Sequence, residues 1–169
     1  ARLRAQGHTV SWLAQQTPSG QGLLALIAFA DAPKAGAREA IARLASMGIQ
    51  TTMISGDNAG AVGAVAKALG LTQFEAGVAP DQTAARFAQL KRGAVVAMVG
   101  DGVNDAPAVA AADVGIAMGS GTDVAMQAAG ITLMRGDPRL VADAIALSRA
   151  TVRKIRQNLF WAFVYNVVG

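Results

Sequence analysis

The sequence predicts a doubly wound α/β fold, a parallel sheet covered by helices on both faces. Three observations carry that prediction. Short, nearly uncharged runs of strand length recur along the chain. Segments with helical spacing alternate with them. Polar, glycine-containing motifs follow directly after two of the strands, where ligands of such folds bind.

Leu23–Phe29 is a continuous apolar run of strand length. Gly36–Met47 places Ile41 and Leu44 on one face and Arg38, Glu39 and Arg43 elsewhere, so it reads as a helix that Gly48 stops. Gln50–Ile54 is a β-branched strand, and Ala59–Leu69 an alanine-rich helix closed by Gly70. Phe74–Val78 reads as a short strand. Pro80 then sits at a helix start, with Asp81–Lys91 as the helix. Ala94–Val99 is a strongly apolar strand. Ala106–Ala112 (helix), Val114–Met118 (strand), Thr122–Ala128 (helix) and Ile131–Met134 (strand) continue the alternation. Asp137 caps a long helix that starts at Pro138 and runs into the apolar tail.

At 169 residues the chain is about one domain's worth, and at 53% hydrophobic it is too apolar for a disordered tail. Alanine supplies 38 residues and aromatics only 5%, so small and aliphatic side chains must build the core. The absence of cysteine excludes disulfides, thiolate metal sites and cysteine nucleophiles in this stretch. His8, the single histidine, excludes a His-rich metal site and is assigned no role. A net charge of +4 would by itself permit nucleic-acid binding. The charge gathers instead at Arg149, Arg153, Lys154 and Arg156, just ahead of an apolar run, and no nucleic-acid partner is expected.

That run, LFWAFVYNVVG from Leu159, is uncharged but has 11 residues, against the roughly 20 that a bilayer crossing needs. The basic cluster before it fits the cytoplasmic flank of a membrane helix, and Trp161 and Tyr165 suit an interface. The expectation is the start of a transmembrane helix entering the lipid membrane; the alternative is a terminal core helix packed on its own domain. The opening Ala1-Arg2-Leu3-Arg4 has neither an initiator Met nor a signal pattern. The chain is expected to be a piece of a longer polypeptide.

Two motifs carry chemistry. Ser55-Gly56-Asp57-Asn58 follows a strand, where a hydroxyl and backbone N–H groups suit a phosphate oxygen. Taken alone it reads as an ordinary turn. Gly100-Asp101-Gly102-Val103-Asn104-Asp105-Ala106-Pro107 follows the most apolar strand. It sets two carboxylates four residues apart at a buried strand's tip. Such a pair is unfavourable without a cation, and its hard oxygens suit Mg²⁺. Gly119-Ser120-Gly121-Thr122 is also glycine-rich, but reads as a structural turn.

GDGVNDAPA (Gly100–Ala108), preceded by SGDN, resembles the phosphorylation domain of P-type ATPases, within the haloacid dehalogenase superfamily. The resemblance continues through AADVGIAMGSGTDVAMQAAGITLM (Ala111–Met134). It extends into RKIRQNLFWAFVYN (Arg153–Asn166), which resembles the heavy-metal branch. It covers nearly everything from Leu23 onward. It implies Asp101 as the main Mg²⁺ ligand, supported by Asp105 and Asn104. It implies Ser55 and Gly56 against the transferred phosphoryl group, with Asp57 orienting that loop. Asn58, Gly102 and Asn104 join these as nucleotide- and phosphate-binding positions, and Asp31 matches an acidic hinge residue. The implied layout is a nucleotide-binding-domain tail over 1–21, a phosphorylation domain over 22–148 and a juxtamembrane segment over 149–169.

The resemblance also implies an ion. Copper(I) pumps carry Asn, six residues, then Tyr-Asn in the helix after this domain; here Asn158 is followed by LFWAFV and then Tyr165-Asn166. Tyr165 and Asn166 are thereby implied in a copper(I) pathway, whereas zinc-type pumps would carry a lysine at position 166. The implied function is a part of an ATP-driven copper(I) transporter that forms an aspartyl-phosphate with ATP and Mg²⁺, working with the remainder of its polypeptide in a membrane. Three departures stand against the pattern. Neither the Asp-Lys-Thr-Gly-Thr string that carries the phosphorylated aspartate nor the Cys-Pro-Cys ion-binding string occurs in this sequence. The family's Pro-x-x-Lys reads Pro80-Asp81-Gln82-Thr83, so either Lys34, Lys67 or Arg86 supplies the missing charge or turnover is weakened. The alternatives are a stand-alone phosphatase of the same superfamily and a non-catalytic, membrane-tethered Mg²⁺- and nucleotide-binding remnant.

Overall fold

The computed structural model describes residues 8–18, 20–29, 32–91, 93–119 and 123–168. In chain order the elements are β1 (Thr9–Thr17), β2 (Gly20–Phe29), α1 (Ala37–Ser46), β3 (Thr52–Ile54), α2 (Ala59–Leu69), β4 (Gln73–Glu75), α3 (Pro80–Leu90), β5 (Ala97–Gly100), a 3₁₀ turn (Val103–Asp105), α4 (Ala106–Ala111), β6 (Val114–Met118), α5 (Asp123–Ala128), β7 (Ile131–Leu133) and α6 (Arg139–Val168).

Parallel pairing is as the alternation predicts, with β5, β6 and β7 in one sheet and β3 and β4 in another. The single continuous sheet is not formed among the described residues. Among the described residues β3 pairs only with β4, and β5 only with β6, so each keeps an open edge there. Leu23–Phe29 departs further. It lies in β2 and pairs antiparallel with β1, in a hairpin with an irregularity at Leu13/Ala14. Every residue of β2 is exposed, Leu23 by 62% and Leu24 by 60%. Its apolar length reads as a buried strand, but burial needs a covering layer, and none lies over it among the described residues.

The core centres on β6. Ile116 is fully buried and packs with Leu44 of α1, Leu133 of β7 and Val141 and Ala142 of α6. Its neighbour Gly115 faces the other way, as strand alternation requires. A Cβ at Gly115 would fall 2.5 Å from the Val109 carbonyl oxygen of α4. Helices therefore cover β6 on both faces, the local form of the predicted architecture.

The helix boundaries follow local chemistry. The Asn58 side chain accepts a hydrogen bond from the Ala61 N–H (3.0 Å), and Gly70, at φ +75°, ends α2. Asp137 accepts from the Arg139 N–H at 3.0 Å, and α6 begins there. From Ala146 the helix is exposed except at Val164. Its residues 150–168 extend about 28 Å at 1.5 Å per residue. No helix of the described residues is long and apolar enough to cross a membrane. This corrects the reading of the tail as far as α6 goes. The basic residues Arg149 to Arg156 occupy its middle, and the uncharged part within α6 spans only about 18 Å of the roughly 30 Å needed.

Two surface carboxylates tie segments together. The Asp137 carboxyl is held below the usual carboxylate range by the Arg139 guanidinium and then by its N–H. That of Asp113 is held low by the Val96 N–H and then by Lys91. A carboxyl depressed in the folded state contributes its full stability above the ordinary value of 3.8, and loses it as pH falls through the lower folded value. Thermal unfolding followed by circular dichroism should show Tm falling below about pH 4. Asp113→Asn and Asp137→Asn should each lower Tm at neutral pH and flatten that fall. Parallel curves for variant and parent would contradict the assignment.

Candidate active site

The Ser55–Asn58 loop leaves β3 at Ser55. The Ser55 N–H donates to the Glu75 carbonyl (3.0 Å), extending the β3–β4 ladder by one bond. The segment before α3 then packs back on it. The Val78 N–H donates to the Ser55 carbonyl (3.1 Å) and the Gly77 N–H to the Asp57 carbonyl (2.8 Å). The Ser55 hydroxyl accepts from the Asp57 N–H at 3.2 Å, which closes the turn. Ser55 is half-buried, while Gly56, Asp57 and Asn58 are exposed. The Asn58 side-chain oxygen Oδ1 is committed to capping α2, so its observed work is structural.

The acidic loop leaves β5 at Gly100. The Asp105 carboxylate turns back and accepts from the Asp101 N–H (3.2 Å) and the Gly102 N–H (3.0 Å), both through Oδ2. Asp105 thus shapes the loop as well as standing beside it. Its return requires Gly100, where a Cβ would lie 2.6 Å from the Asp105 Cβ. Asp101 and Asn104 are exposed and Asp105 is half-buried. The Asp101 carboxylate takes its partner from a distant segment: Lys34 Nζ donates to its Oδ2 at 2.5 Å. No hydrogen bond joins this loop to the Ser55 loop among the described residues.

Of the three bases considered for the missing family lysine, Lys34 is the one seen on the acidic loop. Arg86 pairs with Glu75 at 2.9 Å. Lys67 lies in the last turn of α2. The Thr83 hydroxyl donates to the Ala79 carbonyl (3.2 Å) within the first turn of α3. Asp31, and the turn residues Ser120, Gly121 and Thr122, lie outside the described residues. In α6 the Asn166 side-chain amide donates to the Ala162 carbonyl (2.7 Å) of its own helix, and Tyr165 is 77% exposed.

The donor set fits a magnesium ion. A cationic group already sits on the Asp101 oxygen, which shows that the position accepts positive charge. No group of three or more His, Cys, Asp or Glu converges among the described residues. Two carboxylates without a full protein cage are what Mg²⁺ uses when waters and phosphate oxygens complete its shell.

A haloacid dehalogenase-like hydrolase family profile matches residues 1–113. The chain is 50% identical over 169 residues to a copper-exporting P-type ATPase of Staphylococcus haemolyticus (strain JCSC1435), with 99% of this chain and 21% of that protein covered. It is 48% identical over 168 residues to a copper-exporting P-type ATPase of Bacillus subtilis (strain 168), covering 99% of this chain and 20% of that protein. A crystal structure of a zinc-transporting PIB-type ATPase in the E2.Pi state superposes with a TM-score of 0.79 at 40% identity, over 93% of this chain and 25% of that one. The chain therefore spans about a fifth of the length of the curated relatives it matches. The resemblance read from GDGVNDAPA is borne out, since the homologues are copper-exporting P-type ATPases. The chain belongs to the haloacid dehalogenase-like hydrolase family.

Proposed function

We propose that this chain is the phosphorylation-domain portion of an ATP-driven copper(I) transporter that passes the terminal phosphoryl group of ATP to an aspartate elsewhere in its polypeptide. The carrying observation is the pair Asp101 and Asp105 at the tip of β5, folded into one loop and partnered by a cation. About 50% identity, over 99% of this chain, to copper-exporting P-type ATPases supports the choice of ion.

Asp101 and Asp105 would hold Mg²⁺, which when bound offsets the charge that gathers on phosphoryl oxygens. The chain's own groups do the rest. Asp105 Oδ2 fixes the Asp101–Gly102 backbone, so the Asp101 carboxylate is aimed before substrate arrives. The Ser55 hydroxyl and the exposed Gly56 backbone offer polar contacts to a phosphoryl oxygen, with Asp57 holding the turn. Tyr165 and Asn166 contribute to the copper(I) path, and the apolar end of α6 meets the lipid membrane. A membrane location follows for the whole protein, with nucleotide-binding-domain residues over 1–21, the phosphorylation domain over 22–148, a juxtamembrane segment over 149–169 and Asp31 at the hinge.

The test is metal-dependent phosphorylation of the whole protein in lipid vesicles with γ-labelled ATP and Mg²⁺. Copper(I) should raise an acid-stable, hydroxylamine-sensitive label and zinc(II) should not. Stimulation by zinc(II) alone would overturn the ion. Mg²⁺-dependent hydrolysis of simple phosphate esters without any such label would favour the stand-alone phosphatase.

A further inference from the structure

We propose that Lys34 is the resident counter-cation of the Asp101 carboxylate, and that its ammonium group must leave before a divalent ion binds, so that Lys34 sets how much Mg²⁺ the site requires. This rests on the reading of Asp101 as a metal ligand. The contact is 2.5 Å, and the two side chains are 47% and 46% exposed. An ion pair so open to water adds little to folding stability. Its position on a candidate metal ligand is therefore more informative than its energy.

The two acidic side chains of the loop are in different states. Asp105 Oδ2 accepts hydrogen bonds from two backbone N–H groups. Asp101 Oδ2 meets the ammonium of a residue 67 positions away. That residue is held in place. The Ala37 N–H donates to the Lys34 carbonyl at 3.1 Å, closing a turn ahead of α1. Gly36, at φ +80°, lies so close under Arg139 that a Cβ there would come 3.0 Å from its Nε. Arg139 is in turn tied to Asp137 at 2.8 Å and to Glu39 at 3.5 Å. The backbone of Lys34 is thereby anchored through α1 to the start of α6, while its four-carbon stem stays free to swing.

An ammonium and a divalent ion on one carboxylate oxygen repel each other, so the two occupants are alternatives. Lysine suits this use better than arginine, since it is a compact point charge without a bidentate grip on the carboxylate. The pair raises the Mg²⁺ concentration needed for binding. It also keeps Asp101 compensated when the metal is absent.

The experiment is a calorimetric Mg²⁺ titration of the purified protein without nucleotide. Lys34→Met keeps the apolar stem and removes the charge. Its Mg²⁺ Kd should be lower than wild type by about three- to fivefold, the scale of an exposed ion pair. Lys34→Arg, which keeps the charge and can grip the carboxylate bidentately, should show no such fall in Kd. If Lys34→Met does not fold, the ¹³Cε resonance of Lys34 in the wild type provides a second readout. It should move on Mg²⁺ addition and stay still in Asp101→Asn. An unchanged or raised Kd in Lys34→Met, or a stationary resonance in the wild type, overturns the proposal. Asp101→Asn in the same titration separates the two claims. Weaker Mg²⁺ binding there with no effect of Lys34→Met removes only the role of Lys34. No effect of Asp101→Asn removes the metal-site reading as well.

Discussion

Asp101→Asn should reduce Mg²⁺-dependent phosphoryl transfer in the whole protein by about 10³-fold, with Tm nearly unchanged. The magnitude follows from the several kcal/mol by which a metal stabilises charge on a phosphoryl group, at 1.36 kcal/mol per tenfold in rate. The small effect on stability follows from where the side chain sits. It is about half exposed, and Lys34, itself open to water, is its one side-chain partner among the described residues. The bonds that hold the loop use the Asp101 N–H and the Asp105 carboxylate, which the substitution leaves in place. An amide carries no negative charge to attract or hold Mg²⁺. The check is the rate of acyl-phosphate formation from γ-labelled ATP with copper(I), beside a thermal melt of the same preparation. Labelling within a few-fold of wild type would remove Asp101 from the metal site. A collapse of Tm would show that the loop depends on it for folding.

What could be read from the residues is what local chemistry sets. The bounds of α2 were legible because Asn58 and Gly70 mark both ends within a single turn. Those of β6 were legible because a short aliphatic run is bracketed by Asp113 and Gly119. The acidic loop was legible for a similar reason, since glycines and carboxylates at a strand end have few structural uses. Three features were not legible. The hairpin of β1 and β2 depends on strand pairing across Pro18, and the apolar content of Leu23–Phe29 fits a buried strand equally well. The partner of Asp101 lies 67 residues away, and no local spacing marks it. The fate of the apolar tail depends on length and surroundings, and α6 alone falls short of a span.

Gly100→Ala should cost both stability and activity, because this glycine is where the fold and the site meet. A Cβ there would lie 2.6 Å from the Asp105 Cβ and 3.0 Å from its carboxyl carbon. Those atoms are not the free end of a long side chain that could swing aside. Asp105 begins α4, whose Ala106, Ala108 and Val109 are buried. Either β5 or the start of α4 must move, and overpacking of this kind costs about 1–3 kcal/mol. The same movement pulls Asp105 Oδ2 from the Asp101 and Gly102 N–H groups, now 3.2 and 3.0 Å away. Asp101 then loses the backbone support that aims it. A misplacement on the order of 1 Å at a reacting site can cost about 10²-fold in rate. Gly100→Ala is therefore expected to lower Tm and to slow phosphoryl transfer about 10²-fold in the fraction that remains folded. Asp101→Asn, by contrast, should change the rate alone. Phosphoenzyme formation measured well below the variant's Tm separates the two losses. A variant with normal activity per folded molecule would show that the loop reaches its working shape without the Asp105 bonds, and Asp105 would then be a helix-start residue with no share in aiming Asp101.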